Sequence, residues 1–385
     1  MTNEPGDKAN VRQASVADCP VVKLGPNWAP QSYEGGGLAA SFRGQEVPPH
    51  PSPEDWIGSV TARFENPEPI GDQAAPGQSL LPDGTLLASA ITQDPKSWLG
   101  QDHLAELGAD PYLLVKLLDS KDRLFVHSHP DRCFARTHLG CIHGKTEAWF
   151  VLSCRDKGWV RLGLGQAMTE AELRHLAGSG SGEDWLERLN HLTVTEGDVV
   201  LVPAGVPHSI GPGVLVLELQ EPTDYSVILE HTNRVTRPEL GLGWETAIGS
   251  VDHHAWPKER LARLIRHWGL EFLDRSEASS KQMSNRGPVS LLPEQADPFF
   301  RLEGLFVAGK PIFIDPGYSI ILVTEGSGVL SGTFGTMEVS RGESVLVAAC
   351  AGSLEVSGDI SLLRARPPTP DRVRLDGQPI SRPLV

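Results

Sequence analysis

The sequence predicts a mainly β protein of two β-barrels, with a small helical insert and a helical connecting segment. Three observations carry this. Short apolar runs of strand length follow one another from Tyr112, each bounded by turn residues. One strand-and-turn pattern occurs twice, near Gly197 and again near Gly342. The 40 glycines and 31 prolines among 385 residues supply the many turns that such a fold needs.

The elements follow in order. Residues 1–110 read as an irregular N-terminal part packed on the first barrel: a polar lead-in to about residue 25, then a Gly-, Pro- and acid-rich stretch with short strands around Trp56–Phe64. Residues 111–231 form the first barrel, with strands expected at Tyr112–Leu118, Leu124–His129, Ala148–Leu152, Trp159–Leu164, Leu192–Val194, Val199–Pro203 and Val214–Leu219. An insert at about 168–192 interrupts them. There, Met168–Leu176 and Glu183–Leu192 carry leucine spacing, charges and a capping-type start, which predicts two short helices.

Residues 232–286 read as a helical connection. Leu261, Leu264, Ile265, Trp268 and Phe272 recur at helical spacing, predicting an amphipathic helix over Pro257–Arg275 before a polar linker, Ser276–Arg286. Residues 287–367 form the second barrel, and 368–385 a tail. The repeat decides what that barrel can do. Gly197-Asp198 is followed eleven residues after the glycine by His208, whereas Gly342-Glu343 is followed at the same distance by Ser353. The architecture is duplicated and the chemistry is not.

Composition excludes several function classes. A formal net charge of -15 argues against sequence-independent nucleic-acid binding, which needs a basic face, and against an anionic membrane surface. No apolar run reaches the length of a membrane-spanning helix, and Met1–Asn10 lacks the apolar core of a signal peptide. Five cysteines without Cys-x-x-Cys spacing speak against a disulfide framework, so the cytoplasm is the expected compartment.

The chemistry concentrates in the first barrel. In Phe125-Val126-His127-Ser128-His129 the two histidines share a strand face, so two neutral imidazoles could hold one metal. Lys145, Glu147 and Trp149 share a face of the next strand, and His208 follows a Pro-x-Gly turn at the mouth of another. Three imidazoles and one carboxylate around a divalent cation leave a charge of about +1, able to stabilise an oxyanion on a substrate. Glu218 and Gln220 alternate with leucines and face either the cavity or solvent at the barrel mouth. His138 and His143 are expected to serve a loop, and His253-His254 to lie at the surface.

These motifs resemble cupins. More closely, Pro111-Tyr-Leu-Leu-Val-Lys116, His129-Pro130-Asp131, Gly144-Lys145-Thr146-Glu147-Ala148-Trp149, Gly197-Asp-x4-Pro203-Ala-Gly205-x-Pro-His208 and Gly213-Val-Leu-Val-Leu-Glu218-Leu-Gln220 resemble type I mannose-6-phosphate isomerases, over about 111–225. The resemblance implies a cupin fold with two barrels. It also implies metal ligands at His129, Glu147 and His208, an active-site lysine at Lys145, and zinc as the usual metal. His127 stands where the family has a glutamine ligand, which keeps iron, manganese and nickel open. Ser226 stands where the family has an active-site arginine, which removes a bidentate cationic donor.

The implied activity is metal-dependent aldose–ketose isomerisation, by proton transfer between C1 and C2 of a sugar phosphate or, given Ser226, of a sugar without phosphate. Lys145, Glu218 or a metal-activated water are the candidates to move the proton. A cupin dioxygenase and a non-catalytic sugar-binding cupin are the competing classes. The partner expected is a small sugar, with neither nucleic acid nor membrane.

Overall fold

The computed structural model describes Val16, residues 20–65, 74–268, 288–369 and 372–373. It is mainly β, with antiparallel pairing throughout its three sheets. Seven strands form one wall of the first barrel, in the order Ile265–His267, Asp198–Val202, Glu147–Cys154, Val214–Gln220, Leu114–Asp119, Glu54–Ile57, Trp28–Ala29. The other wall has five: Val227–Ile228, His127–Ser128, His208–Ile210, Gly158–Leu164 and Leu189–Val194.

The central strands of the seven-stranded wall read as continuous apolar runs because they are covered on both sides. Val199, Val200, Leu201 and Val202 are all buried, as are Leu215, Val216, Leu217 and Leu219. Each fully buried Val or Leu contributes about 1.5–3 kcal/mol. Charged residues inside such strands are therefore costly without partners. Lys116, Glu147 and Glu218 are three of them, and their side chains define where the site lies.

The second barrel is an eight-stranded sheet. Ser319–Gly332 and Leu354–Arg366 form its spine, flanked by Ser344–Val347 and Arg301–Ala308. Its first edge strand is Val21–Leu24, paired with Ser344–Val347. The polar lead-in thus gives way to a strand of the second barrel, where the sequence suggested packing on the first. Lys23 alone is exposed in this Val-Val-Lys-Leu run, the pattern of a strand lying against a core.

Three further differences from expectation are local. Short helices Leu87–Gln93, Pro95–Leu99 and Gln101–Leu107 occupy part of the stretch read as irregular. Pro95 opens the second of them and Asp94 caps it by accepting from the Ser97 amide. Trp98 and Leu99 then enter an apolar cluster that extends to Ile320, Leu346 and Ala348, joining the two barrels.

In the insert, the first helix runs Glu170–Leu176 with a full capping box at Thr169 and Glu172. The second ends at Leu186, and Leu189–Val194 pairs as a strand with Gly158–Leu164. Among its described residues, the connecting segment holds short helical turns, Trp244–Ala247, Ile248–Ser250 and Lys258–Leu261, in place of a long helix. Ile265–His267 extends the seven-stranded wall beside Asp198–Val200, where hydrogen bonds to a sheet edge override helical spacing. The far end of the expected Pro257–Arg275 helix, the linker and most of the tail lie outside the described residues.

Candidate active site and metal centre

The histidines meet because the five-stranded wall brings His127 and His208 into register as a cross-strand pair, while His129 lies two residues beyond His127. The ring centroids are 4.9 Å apart for His127 and His129, 4.2 Å for His127 and His208, and 4.8 Å for His129 and His208. Ligand nitrogens of all three lie within 4.8 Å of one another. The turn before His208 supports this convergence. Gly205 adopts a left-handed φ of 86° and donates its amide to the His129 carbonyl at 2.7 Å.

Each imidazole is held by its outer nitrogen. Nδ1 of His127 bonds the Phe125 carbonyl at 2.7 Å, that of His129 the Tyr225 carbonyl at 2.8 Å, and that of His208 the Val206 carbonyl at 2.8 Å. A carbonyl only accepts, so each Nδ1 carries a hydrogen and each ring turns its Nε2 inward. Burial pushes the His127 imidazolium well below its ordinary range, with the charges of His208 and His129 adding to the effect. Burial and then Lys145 bring His129 down to about 3. Both rings are therefore neutral donors at physiological pH.

Glu147 enters from the opposite wall. Its Oε2 lies 3.1 Å from His129 Nε2 and its Oε1 3.2 Å from His208 Nε2. Lys145 Nζ is 3.1 Å from Glu147 Oε2 and 3.0 Å from His129 Nε2. Burial alone would raise the Glu147 carboxyl, but Lys145 first and the histidines next hold it well below the usual range. Glu147 Oε2 and His208 Nε2 are buried and complete no hydrogen bond. Inward lone pairs beside an ionised carboxylate with unsatisfied buried atoms form a donor set suited to a divalent cation.

The turn after Gln220 fixes this strand end. Glu221 accepts from the Thr146 amide at 2.9 Å, and Thr223 Oγ1 donates to the Gly144 carbonyl at 2.8 Å. Gln220 is spent on that turn, donating to the Glu221 and Thr223 carbonyls. Glu218 is a pocket residue, 2% exposed, so the solvated-mouth alternative does not hold. Burial pushes its carboxyl up to about 8, against Lys116 and with help from Glu147.

A pocket opens from His127, Lys145, Glu147, Trp149 and Glu218. Trp149 is 1% exposed, borders the pocket and lies with its ring 5.5 Å from that of His208. Ser226 Oγ is 3.4 Å from His129 Nδ1, beside the histidines. His143 instead pairs with Asp110 at 2.8 Å, His138 packs on Phe134, and His254 is exposed beside Asp252. The second barrel can offer no imidazole, since no histidine follows His267.

Several pocket residues escaped the sequence. Lys116 stands between Glu54, at 3.5 Å, and Glu218, at 3.6 Å, and those two carboxylates hold its ammonium above the ordinary lysine range despite complete burial. A lone lysine inside an otherwise apolar strand was its available signal. Glu54 accepts from Tyr33 and from Trp56 Nε1. Arg63, Asp224 and Arg237 reach the pocket from loops, where no periodicity marks them.

No family model matches the chain. It is 39% identical to a mannose-6-phosphate isomerase of Streptococcus mutans over 112 residues, 29% of this chain and 34% of that protein. It is 31% identical to a mannose-6-phosphate isomerase of Bacillus subtilis over 191 residues, 49% of this chain and 54% of that protein. The matched stretches thus span about a third to a half of those relatives. The solved structure of a Bacillus subtilis mannose 6-phosphate isomerase, 21% identical, superposes with a TM-score of 0.65 over 90% of this chain and 99% of that one. The shared architecture is the cupin fold.

Proposed function

We propose that this chain, a divergent relative of the mannose-6-phosphate isomerases, is a metal-dependent aldose–ketose isomerase acting on a sugar phosphate. The observation that carries the reading is the convergence of three inward-facing Nε2 atoms on Glu147, with Lys145 and Glu218 bordering the same pocket. A divalent cation held by His127, His129, His208 and Glu147, zinc in our reading, would supply a Lewis acid at the sugar carbonyl.

The remaining work falls to the protein. Isomerisation removes a proton from C2 of the aldose and returns one to C1, while the proton of the C2 hydroxyl passes to O1. Glu218, held near neutrality by burial, is suited to carry it, since a carrier matched to ambient pH contributes about 10²–10⁴ in rate. Lys145 offers an ammonium to negative charge developing on a sugar oxygen. Lys116 stays charged and orients Glu218 from one side. Trp149 Nε1, buried without a partner, has a hydrogen bond to give. The free thiols of Cys133, Cys141, Cys154 and Cys350 support a reducing, cytoplasmic setting.

The test is solvent exchange. Zinc-reconstituted protein is incubated in D₂O with a panel of free and phosphorylated aldoses, and deuterium at the exchanging carbon is read by NMR. Incorporation together with ketose formation is expected for a phosphorylated member. Oxygen uptake by an iron-reconstituted sample, with no deuterium incorporation, would instead establish a dioxygenase. A ligand-induced melting shift without turnover would establish a sensor.

A further inference from the structure

Four cationic side chains line the pocket: Arg63, Lys116, Lys145 and Arg237. Three are committed to carboxylates. Arg63 is 3.4 Å from Asp224 and 3.8 Å from Glu65, Lys116 lies between Glu54 and Glu218, and Lys145 lies beside Glu147. Arg237 has no carboxylate partner among the described residues, and it is exposed at the rim. Its position is nonetheless built. The guanidinium lies 4.5 Å over the Phe64 ring, and Nη2 donates to the Phe64 carbonyl at 3.2 Å. Phe64 is itself pinned, its amide donating to Asp224 at 3.1 Å and its ring meeting Tyr225 edge-on at 5.3 Å.

We propose that Arg237 determines substrate specificity by binding the phosphate ester at the end of the sugar remote from the carbonyl. This rests on the isomerase reading for the orientation of the sugar. A guanidinium seated over an aromatic ring, with one N–H given to a backbone carbonyl, keeps its other N–H groups for the planar pairing that phosphate accepts. Ser226 cannot take this part. Its hydroxyl lies against the outer nitrogen of His129, and it carries no charge.

Binding of two non-reacting probes, a hexitol and the same hexitol 6-phosphate, is measured by calorimetry with the full chain and with Arg237→Ala and Arg237→Lys. The parent is expected to bind the phosphate about tenfold or more tightly than the hexitol. Arg237→Ala should abolish that gap without weakening the hexitol, and Arg237→Lys should restore part of it. A gap that survives in Arg237→Ala, equal weakening of both probes, or no gap in the parent overturns the assignment. The comparison needs no turnover. A parent that shows the gap but isomerises nothing defeats the isomerase reading and leaves Arg237 as a phosphate contact.

Discussion

Glu147 is the residue on which the charges of the site balance. It is the carboxylate nearest Lys145, and its two oxygens face two different imidazoles. Removing one partner of a buried charge pair costs about 3–5 kcal/mol, because the other is left unpaired. Glu147→Ala should therefore lower metal retention and also the stability of the metal-free protein. Dialysis followed by metal analysis, and urea unfolding in chelator, read the two effects separately; parental values in both would deny Glu147 this role. Glu218 makes a prediction with pH. Its folded pKa of about 8 exceeds its ordinary 4.5, so its contribution to stability is full below about 4.5 and lost as pH rises toward 8. Glu218→Gln does not titrate. The melting temperature of the metal-free variant should gain on the parent between pH 5 and pH 8, and a constant difference would contradict the shift.

At the scale of elements, the turn ahead of His208 is a sensitive joint. Gly205 has a positive φ, its amide ties it to His129, and a Cβ there would stand 3.1 Å from the Ser250 carbonyl oxygen. Gly205→Ala should destabilise by about 1–2 kcal/mol through left-handed strain and weaken metal retention by displacing His208. Chemical denaturation with metal analysis checks both, and an unaffected variant would show that the turn tolerates a side chain. This joint was legible beforehand as Pro203-Ala-Gly205-x-Pro-His208, because turn chemistry is local. The meeting of His127, His129, Glu147 and His208 was legible for a related reason: period-two alternation fixes the face of a strand residue. Lys116 was visible in the strand but lacked a role until Glu54 and Glu218 were seen on either side. Arg63 and Arg237 were not legible at all, since loops place side chains by tertiary contacts that leave no spacing. Of the helix expected over Pro257–Arg275, Lys258–Leu261 is helical and Ile265–His267 is not, for the same class of reason, an edge of the sheet claiming that segment against its apolar period.

Across the whole molecule, the barrels are joined by more than a connecting segment. The strand Val21–Leu24 belongs to the second sheet, and the chain then returns to the first at Trp28. Arg43 fastens the junction. Its side chain, 3% exposed, donates to fully buried Asp55 in the first barrel and to Gly342 and Ser344 in the second, each of the latter at 2.9 Å. Arg43→Met should cost about 3–5 kcal/mol by leaving Asp55 unpaired. It should also separate the melting of the two barrels in calorimetry; a single transition at the parental temperature would show the junction to be held elsewhere. The second barrel thus supports the first without repeating its chemistry. On the function proposed, that division of labour depends on one cation held in the first barrel. The most direct measurement is the metal content of the full chain and of His129→Ala after exchange against zinc and exhaustive dialysis. One divalent ion per parental chain and none in the variant, with both folded by circular dichroism, is the predicted result. Equal content in the two proteins, or none in the parent, would contradict it.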